Sequence, residues 1–155
     1  MTNRRIESMR LRLFLIPFIV TLFAGNSLRA NELGVTITVT VTNIPEAKGD
    51  LLVGLYNTEK SFTKDPMPVS PVIDLTSGED VVAKISGVMP GVYAIAVVQD
   101  FNENGKLDKT IVGMPKEPLA FSVITEIPRG KPNFKACSFQ VGEEDVEMTI
   151  ALVLK

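Results

Sequence analysis

Residues 35–42 read Val-Thr-Ile-Thr-Val-Thr-Val-Thr, eight β-branched side chains in strict apolar and polar alternation. A two-residue period places every valine and isoleucine on one face of a strand and every threonine on the other. Helix competes poorly here, because β-branched residues lose χ1 freedom against the preceding turn. The chain must therefore contain a sheet with at least one dry face. Further apolar runs occur at Leu51–Tyr56, Val72–Leu75, Asp80–Ile85, Val92–Val98, Lys135–Val141 and Val146–Leu154. The segments between them are rich in Gly, Pro, Asn and Asp, which break helix and favour turns.

The first two runs are expected to pair as antiparallel neighbours across a turn at Asn43–Gly49, and Val92–Val98 reads as a central strand buried on both faces. Asn57–Pro71 carries Pro66, Pro68 and Pro71 and reads as a loop with one helical turn near Thr58–Phe62. Residues 100–133 read as a long decorated loop with short strands near Ile111 and at Leu119–Val123. Nothing after residue 30 has the length and period of a long helix. The fold class is all-β, an antiparallel β-sandwich of about seven strands.

The amino terminus is built differently. Arg4, Arg5, Arg10 and Arg12 precede an apolar run, Leu13–Ala24, which is followed by small and polar residues up to Ala30. That order is the order of a secretory signal peptide, with cleavage after Ser27 or Ala30. The run is shorter than the roughly 20 residues a spanning helix needs. Residues 1–30 are thus expected to be a leader and 31–155 a single domain, periplasmic or secreted.

Loss of the leader takes five basic residues and one acid from totals of 16 and 18, leaving 11 and 17 and a net charge of −6. An acidic surface with no basic run repels phosphate backbones and anionic lipid heads, which argues against nucleic acid as a partner. The chain has no histidine, which removes Ser-His-Asp and Cys-His hydrolysis and histidine-held zinc, copper or iron together. Cys137 has no partner for an intramolecular disulfide and reads as a small core residue.

One segment carries a chemical pattern. Asp100-Phe101-Asn102-Glu103-Asn104-Gly105-Lys106-Leu107-Asp108 places Asp100, Asn102, Asn104, Gly105 and Asp108 at loop positions 1, 3, 5, 6 and 9. Calcium takes six to eight hard oxygens, and such spacing wraps a short loop around it, with the Lys106 carbonyl at position 7. Position 12 is Ile111 rather than glutamate, so Glu117 or Glu126 would have to complete the shell, while Glu103 faces away between ligands. The competing reading is a plain turn, since Asn and Gly suit positive φ. A second cluster, Lys131, Pro132, Asn133 and Phe134, reads either as an anion or ligand rim or as a loop anchored by its aromatic ring. Phe62, Phe101, Phe121, Phe134 and Phe139 read as loop anchors and core.

The chain resembles a bacterial exported family, DUF2141, across Val35–Leu154. The marks are Val41-Thr42-Asn43-Ile44, Lys48-Gly49, Leu55-Tyr56-Asn57, Phe62, Met89-Pro90-Gly91-Val92-Tyr93-Ala94, the 100–108 loop, Gly113-Met114-Pro115-Lys116-Glu117, Phe121-Ser122, Pro132, Phe134, Ala136 and Phe139. The resemblance implies export and a transthyretin-like or carboxypeptidase-regulatory-like sandwich, and it implies no activity. Members typically carry a histidine before the first loop aspartate, where this chain has Gln99.

Three functions fit these residues. The leading one is a non-enzymatic binding or interaction module for an envelope protein or small ligand, its loop ordered by calcium on Asp100, Asn102, Asn104, Lys106, Asp108 and Glu117. A metal-dependent hydrolase or lyase using Asp100 and Asp108 is the second, and a structural partner domain of an envelope assembly is the third.

Overall fold

The computed structural model describes residues 34–64, 73–75, 80–128 and 130–154. The expected leader lies outside them, as do Pro66, Pro68, Pro71 and residues 76–79, whose Thr-Ser-Gly-Glu sequence reads as a turn.

The alternating segment forms β1 (Val35–Thr42), with Ile37, Val39 and Val41 fully buried and the threonines half-buried. It is the middle of a three-stranded sheet. On one side it pairs antiparallel with β4 (Val81–Val88), and on the other it pairs parallel with β8 (Val146–Ala151). The expectation that β1 pairs with the next run is overturned, because β2 (Asp50–Tyr56) belongs to a second sheet. The intervening segment is too long for a tight hairpin, and positive φ at Asn43 (57°) and Gly49 (69°) redirects the chain. The parallel β1–β8 pair likewise departs from an all-antiparallel arrangement. Parallel neighbours need a long crossover, and nearly the whole domain lies between these two strands.

The second sheet contains β2, β3 (Ile73–Asp74), β5 (Gly91–Asp100), β6 (Leu119–Phe121) and β7 (Ser138–Val141). β5 is its spine. One side of β5 pairs with β2 along Ala94–Asp100, and the other is shared by β7 at Gly91–Ala94 and β6 at Ala96–Val98. The expected strand at Lys135–Val141 opens instead as a single helical turn, α1 (Phe134–Cys137). The Asn133 side chain caps it by accepting the Ala136 amide proton at 2.8 Å, which satisfies one of the donors a helix start leaves free.

Both faces of the second sheet are dry along Ala94–Asp100 of β5, whereas Val92, at the start of the apolar run, is exposed. Leu51, Val53, Ile95 and Val97 on one face join Ile37, Val39, Val41, Ala83, Ile85 and Ile150 of the first sheet in one apolar cluster. On the other face Leu52, Tyr56, Ala94, Ala96, Val98, Leu119 and Phe121 are covered by Phe62, Cys137 and Phe134. The Phe62 ring is the keystone of that cover, edge-on to Tyr56 (5.4 Å) and Phe134 (5.8 Å) and tilted against Phe121 (5.9 Å). A turn holds it in place, the Phe62 amide donating to the Thr58 carbonyl at 3.1 Å. The buried members of both clusters run from Val35 to Leu152. No helix among the described residues is long and apolar enough to cross a membrane.

Candidate functional site

β5 stays dry to its last residue, so Asp100 carries a carboxylate into the interior at full burial. Burying a charge is costly unless it is well partnered. One oxygen, Oδ2, accepts the Gly105 amide proton at 2.6 Å, which closes the loop from position 1 to position 6. The other, Oδ1, is buried without a hydrogen-bond partner.

The loop folds back on Asp100 because Glu103 (φ 57°) and Gly105 (φ 74°) both adopt left-handed backbone. Only glycine does so at no steric cost, and Glu103 is exposed, as the sequence spacing predicts. Asn104 Oδ1 accepts the Lys106 amide proton at 2.9 Å, an Asx turn two residues long. Lys106 itself sits on the exposed outer side.

Asp108 is the hub of this small network. Its Oδ2 accepts from the Asn102 amide nitrogen at 3.0 Å and its Oδ1 from the Asn104 amide nitrogen at 3.1 Å. Positions 3, 5 and 9 thus converge. Glu117, almost fully buried, ties the two ends of the loop together, Oε1 accepting from the Phe101 amide (3.0 Å) and Oε2 from the Asp108 amide (2.8 Å). Burial pushes the Glu117 carboxyl up from its ordinary value, and the nearby charges of Asp100 and Asp108 add to this against the pull of the two amides.

The residues singled out from sequence therefore meet, but through one another. Among the described residues no three acidic or cysteine side chains are already gathered as a metal-holding group. Glu126 lies exposed in the segment after β6. The Lys131–Phe134 cluster resolves as an anchor: Lys131 is exposed, Asn133 caps α1 and Phe134 packs on the second apolar cluster.

Several residues that matter to the site carry no motif. Gln99, fully buried, donates from Nε2 to the carbonyls of Glu46 (2.7 Å) and Lys48 (2.9 Å), which fastens the β1–β2 connection beneath the loop. Lys48 Nζ stands 5.2 Å over the Phe101 ring. Ser122, also fully buried, accepts the Ile95 amide proton at 2.8 Å and donates to the Cys137 carbonyl. The Cys137 thiol is pushed up to about 11 by burial, in keeping with a core residue. In the sequence Gln99 stands out as a polar side chain at the end of an apolar run and at the family's histidine position, and Ser122 only as half of the Phe121-Ser122 mark.

Residues 39–149 match the model of a family described as "Uncharacterized protein conserved in bacteria (DUF2141)". No curated protein and no solved structure matches the chain.

Proposed function

The chain belongs to the DUF2141 family, and from that premise we propose that it is a non-enzymatic binding or interaction module whose 100–108 loop is ordered by calcium. We place it in the periplasm or outside the cell on the strength of the basic, apolar and small-residue order at 1–30. The two sheets sharing one apolar cluster support a sandwich of transthyretin-like type.

One observation carries the cation reading. Asp100 Oδ1 is buried with no donor, while the carboxamides of Asn102 and Asn104 both reach Asp108. An unpartnered buried carboxylate oxygen is expensive, and a hard cation is the partner that compensates it best. Turning each carboxamide about its last torsion exchanges a nitrogen donor for an oxygen acceptor, at Asn104 in exchange for the Asx turn that its Oδ1 makes with the Lys106 amide. Asp100, Asn102, Asn104 and Asp108 would then offer oxygens, the Lys106 carbonyl another, and Glu117 would hold the loop ends. Full burial of Asp100 and near-full burial of Glu117 speak against the hydrolase reading, since a catalytic metal must face its substrate.

Calorimetric titration of calcium into chelator-stripped residues 31–155 is the test. Heat should appear with a dissociation constant of about 10⁻⁴ to 10⁻³ M. Asp100→Ala should abolish it, and Asp100→Asn, which keeps an acceptor for Gly105, should do so while staying folded. No heat from the wild type at millimolar calcium would falsify the reading.

A further inference from the structure

Beyond Asp108 the chain forms a small hairpin, closed by Lys109 opposite Pro115 and by the Lys116 amide donating to the Asp108 carbonyl at 2.9 Å. Its end is a tight turn. The Thr110 amide donates to the Met114 carbonyl (2.7 Å), the Gly113 amide to the Thr110 carbonyl (2.9 Å) and the Met114 amide to the Thr110 hydroxyl (3.0 Å). Gly113 supplies the positive φ of 83° that a three-residue hairpin loop asks for at its last position.

The side chains on this turn are apolar and bare: Ile111 is 107% exposed, Val112 84% and Met114 48%. Turn positions ordinarily hold Gly, Pro, Asn, Asp or Ser, each for a conformational reason that Ile and Val lack. Folding buries neither of the two and gains nothing from them. Three such side chains together mark an interaction surface.

Charge around the tip indicates what covers it. Lys109 and Lys116 are exposed on the two flanks of the hairpin. The nearest acids are turned to other work, Glu117 inward on two backbone amides and Asp108 on two carboxamides. The domain as a whole is acidic and repels anionic surfaces, so the two lysines make the tip a local exception. An apolar tip between lysines suits an interface with acyl chains below and anionic headgroups at the collar. We propose that Ile111, Val112 and Met114 dock into the surface of a bilayer containing anionic lipid, with Lys109 and Lys116 on the headgroup phosphates. The hairpin is closed by its own hydrogen bonds, so this role stands independently of a cation in the neighbouring loop.

Co-sedimentation tests it, with residues 31–155 in chelator-containing buffer. The vesicles are equal parts phosphatidylcholine and phosphatidylglycerol, against phosphatidylcholine alone. Binding should favour the anionic vesicles and weaken with salt. Ile111→Ser with Val112→Ser, and separately Lys109→Glu with Lys116→Glu, should each lower it about tenfold or more at an unchanged melting temperature. The chain has no tryptophan, so Val112→Trp gives a single reporter whose emission should move to shorter wavelength on anionic vesicles. Absence of binding, equal binding to neutral vesicles, a double-serine variant that binds like the wild type, or an unshifted Val112→Trp emission overturns the proposal, and leaves a protein pocket as the covering surface.

Discussion

Gly49 lies so close to the end of β5 that a β-carbon placed on it would stand 2.0 Å from the Asp100 carbonyl oxygen. Its φ of 69° is also one that other residues adopt only with strain. Gly49→Ala should therefore destabilise the domain by about 2 kcal/mol or more, through backbone clash and strain together. Urea unfolding measures it. A variant as stable as the wild type would mean that the β1–β2 connection yields, and that the site does not depend on that close approach.

Ser122 is a buried junction between β5 and the end of α1, one hydroxyl serving the Ile95 amide and the Cys137 carbonyl. Ser122→Ala leaves both backbone groups unpaired in the interior, and each buried orphan costs about 1 to 3 kcal/mol. The melting temperature should fall well beyond what loss of one exposed hydroxyl produces. Unchanged stability would show that the two groups find other partners.

Glu117 differs from a salt-bridged acid in the sign of its pH effect. Its pKa is raised from 4.5, first by burial, so the folded chain keeps the proton to a higher pH than the unfolded chain does. Its contribution to stability is accordingly full below the unfolded value and is lost as pH rises through the folded value. Urea unfolding across that window should show the advantage of the wild type over Glu117→Gln shrinking as pH climbs above 4.5. A pH-independent difference contradicts the shift.

The strands were legible where local chemistry decides them. Alternation in Val35–Thr42 foretells β1 and its buried face, and the unbroken apolar run at Val92–Val98 foretells a strand that is dry on both sides from Ala94 onward, its first residue, Val92, being exposed. The loop was legible too, because Asp, Asn and Gly at fixed spacing carry their geometry within a few residues: Asp100 takes the Gly105 amide proton, and Asn102 and Asn104 meet on Asp108. Pairing was not legible. Period two fixes which face a strand buries and says nothing of which strand lies beside it, so β1 finds β4 and β8 instead of β2.

By itself the sequence determined which segments extend, which strand faces are dry and which loop folds back on its own polar side chains, since these depend on side chains a few residues apart. Tertiary structure alone decided that Gln99 fastens the β1–β2 connection under that loop, that Glu117 ties its two ends, and that Ile111 and Val112 are left in water. These are contacts, or the want of them, between segments that only the closed sheets bring together. Their energy comes from burial that no local window contains.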